Sequence, residues 1–187
     1  MKLQDVVTVK VGRNLSRGNE KDDLTLVAYS YEDLIRDLDG LYLDTELDAW
    51  KDEYSINGYE SYAGEVVFSF VSSKAGIVSN QNEGKIINQN FAKLIIEHEE
   101  LDSSYLCYAL NESYLMKKQM AISMQGSTVP KLTPSILKEL EIKLPTLEKQ
   151  RTIGKAYFYL RKQQALARKQ ADLEEQLYLE LLRKLDY

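Results

Sequence analysis

The spacing of apolar residues predicts a small β-sheet in the first part of the chain. Alternating apolar and polar positions in VVTVKVG predict a strand that ends at Gly12, and the Val- and Phe-rich run EVVFSFVSS at residues 65–73 predicts a second strand. Residues 74–76 (Lys-Ala-Gly) predict a turn that leads into a short third strand. The run KIINQNFAKLII at residues 85–96 predicts another strand, interrupted by a polar loop at residues 88–90.

Two helices in this part are predicted from residues that commonly cap helices. Ser30 precedes YEDLIRDL, and Asp33 stands at the third helical position, which together form a capping-box pattern. Asp102 precedes SSYLCYAL, and the helix that it caps is expected to continue past Tyr114.

The last part of the chain is predicted to be helical. Thr133 followed by Pro134 begins a short helix, because proline lacks only an N–H that the first turn does not use. The segment EIKLP at residues 141–145 predicts a strand that ends at proline. Thr146 then caps a helix over residues 147–185, which would be roughly 55–60 Å long at a rise of about 1.5 Å per residue.

Apolar residues recur along this long helix at spacings dominated by three, four and seven. They are Ile153, Tyr157, Leu160, Leu166, Leu173, Leu177, Leu181 and Leu185. A helix of this length cannot bury such a stripe on one small domain, so we expect it to pack on another long helix. The sequence contains no second long helix, and the expected partner is another molecule.

The order of these segments resembles one known family. Residues 125–154, QGSTVPKLTPSILKELEIKLPTLEKQRTIG, resemble the distal end of a target recognition domain in the specificity subunits of type I restriction–modification systems. That family shows a glycine-serine loop, a short helix, a strand ending in proline and a long helix with a glutamine near its start, here Gln150. Upstream, LQDVVTVKVGRNLSRG, GEVVFSFVSSKAG and INQNFAKLII resemble the opening and the central strands of the same domain. The resemblance implies an α+β fold, with a target recognition domain at residues 1–145 and a dimerisation or spacer helix at residues 146–187.

The resemblance also implies a function without catalysis. The chain is expected to bind double-stranded DNA sequence-specifically, while separate modification (methyltransferase) and restriction subunits methylate or cleave at a bipartite target. Those subunits would bind S-adenosylmethionine and ATP, so no cofactor is expected in this chain.

Family members usually carry two recognition domains and two antiparallel long helices, whereas this sequence shows one of each and no internal repeat. Either the chain forms a homodimer through its long helix, or it is a truncated relative. In the second case it would act as an interaction module or decoy for the modification subunit and bind DNA weakly.

Charge is distributed unevenly along the chain. The net charge is −5, which does not favour simple DNA binding. Residues 1–112 carry 10 basic and 21 acidic side chains, whereas residues 113–187 carry 14 basic and 8 acidic ones. DNA binding therefore requires a local basic surface, because phosphates respond to nearby charge more than to the total. The acidic first part favours the interaction-module alternative.

Contacts with DNA are expected from polar loops between strands. Phosphates bind Arg, Lys and hydroxyl groups, and bases are read by side chains that form paired hydrogen bonds. Three groups carry such residues: Lys10, Arg13, Asn14 and Arg17 in the first; Ser73, Lys74, Gln81, Asn82 and Lys85 in the second; Gln125, Ser127, Thr128 and Lys131 in the third. Residues 88–90 (Asn-Gln-Asn) form a fourth candidate, since Asn and Gln can pair with adenine. The alternative for each group is a solvated turn whose side chains satisfy its own backbone.

Other chemistries find little support in the sequence. There is no Gly-rich nucleotide-binding loop, and one histidine (His98, expected to be exposed) with one cysteine (Cys107, expected to be buried and unreactive) does not make a zinc site. Residues 35–46 resemble a calcium-binding loop only in part, because Ile35 would occupy the first ligand position. The lack of a membrane span and of a signal-peptide core favours a cytoplasmic protein.

Overall fold

The computed structural model describes residues 1–14, 27–40, 58–125 and 132–186. Among these residues, the strands are β1 (Val7–Val11), β2 (Val66–Ser69), β3 (Lys74–Ile77) and β4 (Phe91–Ile96). The helices are α1 (Tyr31–Leu38), α2 (Ser103–Glu112), α3 (Tyr114–Met124), α4 (Pro134–Glu139) and α5 (Leu147–Leu185). The strands form one antiparallel sheet in the order β1-β4-β2-β3, which confirms the predicted α+β class.

The sheet contributes to two hydrophobic clusters. The larger cluster contains strand residues such as Phe68 and Leu94 together with Leu106 of α2 and Phe158 of α5. The smaller cluster is formed by Tyr29, Leu34, Val67, Val78, Ile87 and Phe91. The strands are therefore held between the helices of the second half of the chain and the segment around α1.

Helix α1 begins as predicted, but the turn predicted at residues 74–76 is wrong. Ser30 Oγ accepts the backbone N–H of Asp33 at 3.1 Å, and Asp33 Oδ2 accepts that of Ser30 at 3.0 Å. The chain turns at residues 70–73, and Gly76 lies inside β3. A Cβ atom at Gly76 would lie 2.8 Å from Leu34 Cδ1, so this glycine allows α1 to approach the strand instead of making a turn.

The helix that begins at Asp102 is interrupted where the sequence predicted continuity. Asp102 Oδ1 accepts the backbone N–H of Tyr105 at 2.9 Å, which confirms the predicted cap. Ser113, with φ −57° and ψ 127°, leaves the helical conformation, and the chain resumes as the separate helix α3.

The short helix α4 is confirmed, but the strand predicted at residues 141–145 is wrong. Thr133 Oγ1 accepts the backbone N–H of Ile136 at 3.3 Å, and Pro134 is the first helical residue. After α4, only Glu141 pairs with another segment, in an isolated bridge to Lys2. On either side of this bridge, Leu3 N–H donates to the carbonyl of Leu140 at 2.7 Å, and Ile142 N–H donates to the carbonyl of Met1 at 3.0 Å.

Helix α5 spans the residues that the sequence predicted, and its first half packs on α2. A Cβ atom at Gly154 would lie 2.5 Å from Ser104 Cβ, so the two helices come as close as a glycine permits. Burial continues to Ala165, and most side chains beyond it are exposed. The packing of the domain therefore continues past residue 145 into the helix. No helix in the described ranges is long and apolar enough to cross a membrane.

Candidate nucleic-acid interface

Several predicted contact residues come together where the strands end. Val11 at the end of β1 pairs with Ala92, and Ser69 at the end of β2 pairs with both Phe91 and Lys74. The connecting segments therefore lie side by side at one end of the sheet. We define the loop end of the sheet as residues 12–14, 70–74 and 88–90.

The first segment of the loop end is held by close backbone contacts. Arg13 N–H donates to the carbonyl of Ile87 at 2.8 Å, and a Cβ atom at Gly12 would lie 2.2 Å from the carbonyl oxygen of Asn88. Gly12 is thus required by packing within the protein. Arg13 and Asn14 are half-buried at the end of this segment. Arg17, predicted as part of the same group, lies outside the described residues.

The second segment is a tight turn between β2 and β3. Ser72 N–H donates to Ser69 Oγ at 3.2 Å, and Ser73 N–H donates to the carbonyl of Ser69 at 2.9 Å. Ser73 has φ +54°, in the left-handed region that few non-glycine residues adopt. Phe70 is buried in this turn, whereas Val71 is 70% exposed.

Lys74 follows this turn and also contacts the end of α2. Its Nζ lies 3.5 Å from the carbonyl oxygen of Asn111 and from Glu112 Oε1, a position that suits the negative end of a helix. Burial opposes ionisation of Glu112, but hydrogen bonds from Lys117 and Lys74 hold the pKa of this carboxyl below its usual value.

Because β1 and β3 are the outer strands of the sheet, Arg13 and Lys74 are separated by about three strand spacings, roughly 14 Å.

The third segment contains the Asn-Gln-Asn sequence. Asn88 Oδ1 accepts the backbone N–H of Asn90 at 2.9 Å, and Asn88 Nδ2 donates to the carbonyl of Tyr29 at 3.3 Å. Asn88 therefore shapes the loop, as the turn alternative predicts, while Gln89 and Asn90 are exposed beside it.

Three residues of the second predicted group lie elsewhere. Gln81, Asn82 and Lys85 follow the opposite end of β3. Gln81 is exposed, but Asn82 is only 4% exposed, and its Nδ2 donates to Asp37 Oδ1 at 2.8 Å. Lys85 Nζ lies 2.8 Å from Asp33 Oδ1. The side chain of Asn82 is thus committed to the interior and unavailable to DNA.

Asp37 is the centre of this buried polar cluster. Its carboxylate accepts hydrogen bonds from the Tyr29 hydroxyl at 2.6 Å, from the backbone N–H of Ser79 at 3.2 Å and from Asn82. Burial raises the pKa of Asp37 despite these bonds, which favour the ionised form. In the sequence, Asp37 belongs to the partial calcium-loop pattern of residues 35–46, and its neighbours along the chain do not indicate this inward role.

Lys10 lies on a face of the sheet, one strand residue before its end. Its Nζ donates to the carbonyl of Gly58 at 3.1 Å and lies 5.7 Å from the centre of the Tyr59 ring. Burial, followed by repulsion from Lys93 on the adjacent strand, lowers the pKa of Lys10. Lys93 is itself 4% exposed and pairs with Glu65 at 2.8 Å.

The third predicted group begins at the other end of the sheet. Gln125 is exposed at the end of α3. Within the same helix, Gln119 Nε2 donates to the carbonyl of Glu141 at 2.9 Å, and Gln119 Oε1 accepts the backbone N–H of Glu141 at 2.7 Å. Glu141 pairs with Lys2, which precedes β1, so this region lies opposite Arg13. Ser127, Thr128 and Lys131 lie outside the described residues.

The residues predicted to form a helical interface on α5 divide into two sets. Tyr157 is buried within the domain, where its hydroxyl accepts a hydrogen bond from Asn111 Nδ2 at 3.0 Å, and burial raises its pKa to about 12. Tyr157 therefore needs no partner chain to cover it. The others are between 43% and 83% exposed: Leu160, Leu166, Leu173, Leu177, Leu181 and Leu185.

Two polar contacts that orient the helices were missed by the sequence analysis. Arg161 and Arg168 of α5 both donate to the carboxylate of Asp39, which follows α1. The spacing of seven residues places both arginines on one face of a helix, and this spacing could have indicated that they share a partner. Asn111 Oδ1 and Nδ2 bond the N–H and carbonyl of Ala75 at 2.7 and 2.8 Å, and this amide covers the outer edge of β3.

The two residues weighed for zinc binding have ordinary environments. Cys107 is fully buried, as predicted, and burial raises the pKa of its thiol. His98 is half-buried instead of exposed, and its Nδ1 accepts the backbone N–H of Glu100 at 3.3 Å.

Comparison with known proteins identifies relatives of this chain. Residues 1–175 match the family described as the type I restriction modification DNA specificity domain. The type I restriction enzyme MjaVIII specificity subunit of Methanocaldococcus jannaschii is 30% identical over 81 residues, which are 43% of this chain and 19% of the relative.

Solved structures agree with the fold. The HsdS subunit from Thermoanaerobacter tengcongensis is 20% identical, with a TM-score of 0.53 over 91% of this chain and 39% of that one. A chain from a study of complex assembly in the type I R-M system is 22% identical, with a TM-score of 0.57 over 97% of this chain and 42% of that one. This chain thus spans less than half the length of the relatives it matches.

Proposed function

This chain belongs to the family of type I restriction–modification DNA specificity domains, and on that premise we propose that it binds double-stranded DNA sequence-specifically. In this proposal the chain carries no catalytic site and directs separate methyltransferase and endonuclease subunits to their target. The observation that carries the proposal is the loop end of the sheet, where three polar segments are held side by side on a packed core. A rigid support of this kind positions contacts more precisely than isolated loops do.

The residues of the loop end divide into two expected roles. Arg13 and Lys74 are suited to phosphates, because they are cations at the two outer strands, and phosphate contacts position a protein on the duplex. Asn14, Ser73 and Asn90 carry groups that can bond base edges. Arg17, Ser127, Thr128 and Lys131 remain proposed contacts outside the described residues, whereas Asn82 is removed from the proposed set because it is buried against Asp37.

We further propose that the exposed half of α5 pairs with α5 of a second copy, in antiparallel orientation. Leu173, Leu177 and Leu181 are 46–56% exposed and together would make an unusually large apolar patch on a monomer. Charge along the helix supports the antiparallel orientation. Residues 147–171 carry seven basic side chains and one acidic one, whereas residues 172–185 carry four acidic and two basic ones. Antiparallel pairing places the basic half of each helix beside the acidic half of its partner.

This pairing has a consequence for the DNA target. Two recognition domains related by a two-fold axis would lie toward opposite ends of the paired helices. The target would then consist of two symmetric half-sites with an interval fixed by the helices, in the same way that half-site spacing follows dimer geometry in other DNA-binding proteins.

A second function is favoured by the distribution of charge. The net charge of residues 1–112 is −11, and several lysines of this part pair with acidic groups of the same chain, including Lys85 with Asp33 and Lys93 with Glu65. A chain with this charge distribution could occupy a modification subunit as an interaction module while binding DNA weakly.

Enrichment of random duplex DNA on the purified chain, with and without a modification subunit, distinguishes the two functions. Recovery of an interrupted, symmetric sequence supports the DNA-reading role and the homodimer together. Enrichment of no sequence under either condition, with stable binding to the modification subunit, would identify the chain as an interaction module.

A further inference from the structure

Val71 at the tip of the β2–β3 turn is unusual among the apolar residues of the protein. At 70% exposure it is the most exposed large aliphatic side chain outside α5 in the described part of the chain. Its neighbour Phe70 is 3% exposed and packs edge-on against Phe68, with ring centres 5.6 Å apart. The turn is therefore anchored in the core on one side while Val71 projects from it.

The turn presents Val71 in a fixed position. Ser69 holds the tip from within by accepting the backbone N–H groups of Ser72 and Ser73, and Phe70 N–H donates to the carbonyl of Asn90 at 2.9 Å. Ser73 adopts its left-handed conformation within this arrangement. Valine has few side-chain rotamers, so little conformational freedom remains to be lost when a partner binds.

The segments around Val71 are polar and basic. The same loop end contains polar or basic residues, namely Arg13, Asn14, Lys74 and Asn90. The apolar side chain of Val71 therefore lies among groups that are suited to phosphates and base edges. The major groove admits a two-stranded β-ribbon, and the apolar group that its base edges expose is the C5-methyl of thymine.

We propose that Val71 contacts the C5-methyl group of a thymine in the major groove and thereby determines specificity at that position. This inference rests on the proposed DNA-binding function and adds one base contact to it. A docking site for a modification subunit is the other use of an exposed valine, and it is an outcome of the test below.

The test uses the duplex enriched by the full chain. Each thymine is replaced in turn by deoxyuridine, which lacks only the methyl group, and affinities are measured for the native chain and for Val71→Ala. One replacement should weaken binding of the native chain about fourfold, the effect of removing one buried methyl group. In Val71→Ala the same replacement should have no effect. Val27→Ala is the matched control, because Val27 is 62% exposed and lies outside the loop end; it should retain the thymine preference.

Three results would overturn the inference while the proposed function stands. They are enriched sites without thymine, a thymine preference that survives in Val71→Ala, and a Val71→Ala variant that loses only its affinity for the modification subunit. Failure of the native chain to enrich any sequence is a different result, which refutes the proposed DNA-reading function itself.

Discussion

Arg168 of α5 donates a hydrogen bond through Nη2 to Oδ2 of Asp39 at 3.1 Å, although the two residues are 129 positions apart in the sequence. The other carboxylate oxygen of Asp39 accepts from Arg161, two helical turns earlier. Asp39 follows α1 directly, so these bonds join α1 to α5 near the point where the long helix leaves the domain. The direction of α5 is thereby tied to the body of the protein.

The two arginines should differ in their contribution to stability. Arg161→Ala should lower the free energy of unfolding by about 2 kcal/mol, because Arg161 and Asp39 are largely buried and the carboxylate loses its main partner. Arg168→Ala should lower it by no more than about 0.5 kcal/mol, because its side chain is 57% exposed. Urea denaturation measures both effects, and equal losses in the two variants would contradict this account of Asp39.

Asn111 should contribute more to stability than its size suggests. Asn111→Leu leaves the N–H and carbonyl of Ala75 without partners and should lower the free energy of unfolding by about 3 kcal/mol. Tyr157→Phe removes only the hydroxyl that Asn111 contacts and should lower it by about 1 kcal/mol. Thermal unfolding of the two variants tests the ranking, and a larger loss in Tyr157→Phe would show that the edge of β3 does not depend on Asn111.

The loop end should carry phosphate contacts. Arg13→Ala and Lys74→Ala should each reduce the slope of log affinity against log salt by about 1, and should weaken binding similarly across DNA sequences. Lys138→Ala is the control, because Lys138 lies in the last turn of α4, on the opposite side from the loop end. Unchanged affinity and slope in both test variants would remove these residues from the site.

The helix interface should be separable from the fold. Replacing Leu173 and Leu177 with Glu should yield a monomer whose recognition domain remains folded, because both side chains are exposed and lie beyond the part of α5 that packs on α2. Light scattering at micromolar concentration measures the mass, and circular dichroism checks the fold. A native chain that is already monomeric with α5 helical would defeat the dimer proposal.

The ion pair between Lys85 and Asp33 should make stability depend on acid pH. Burial opposes ionisation of Asp33, but hydrogen bonds from Lys85 and Ser30 hold its pKa below the ordinary value of 3.8. A lowered folded-state pKa stabilises the protein above the unfolded-state pKa, and this contribution is lost as the pH falls through the folded-state pKa. Asp33→Asn should therefore lower the free energy of unfolding by about 1–2 kcal/mol at pH 7, and the difference should shrink as the pH falls below the ordinary value of 3.8. An undiminished difference in acid would exclude the ion pair as its source.

Local sequence signals predicted most of the helices and strands. They failed where contacts between residues distant in the sequence determine the local structure. The caps at Ser30, Asp102 and Thr133 are present, because a cap depends on residues within one turn of it, whereas Thr146 precedes α5 without a side-chain capping hydrogen bond. Gly76 misled the prediction because its role depends on Leu34, which lies on a helix that packs against its strand. The break at Ser113 also has no marker such as proline or glycine in the sequence.

The sequence predicted which types of residue form the candidate site, but it was less successful in predicting which individual residues lie there. Arg13, Ser73 and Lys74 come together because strand pairing brings their segments to one end of the sheet. Asn82 has the same polar character as Asn90, yet one is buried against Asp37 and the other is exposed. Asn82 faces inward because its partner Asp37, 45 residues away in the sequence, is buried. Composition alone does not indicate this contact.

The glutamine near the start of α5 limits where the packed domain can be separated from its long helix. Gln150 is fully buried, accepts the backbone N–H of Asp102 at 3.0 Å and donates to the carbonyls of Glu100 and Pro145 at 2.7 and 2.8 Å. A domain cut at residue 145 would leave those backbone groups, and the face of α2 beside Gly154, without their partners. A chimaera that keeps this domain folded would therefore include the first five turns of α5, with its junction after Ala165, within the helix itself.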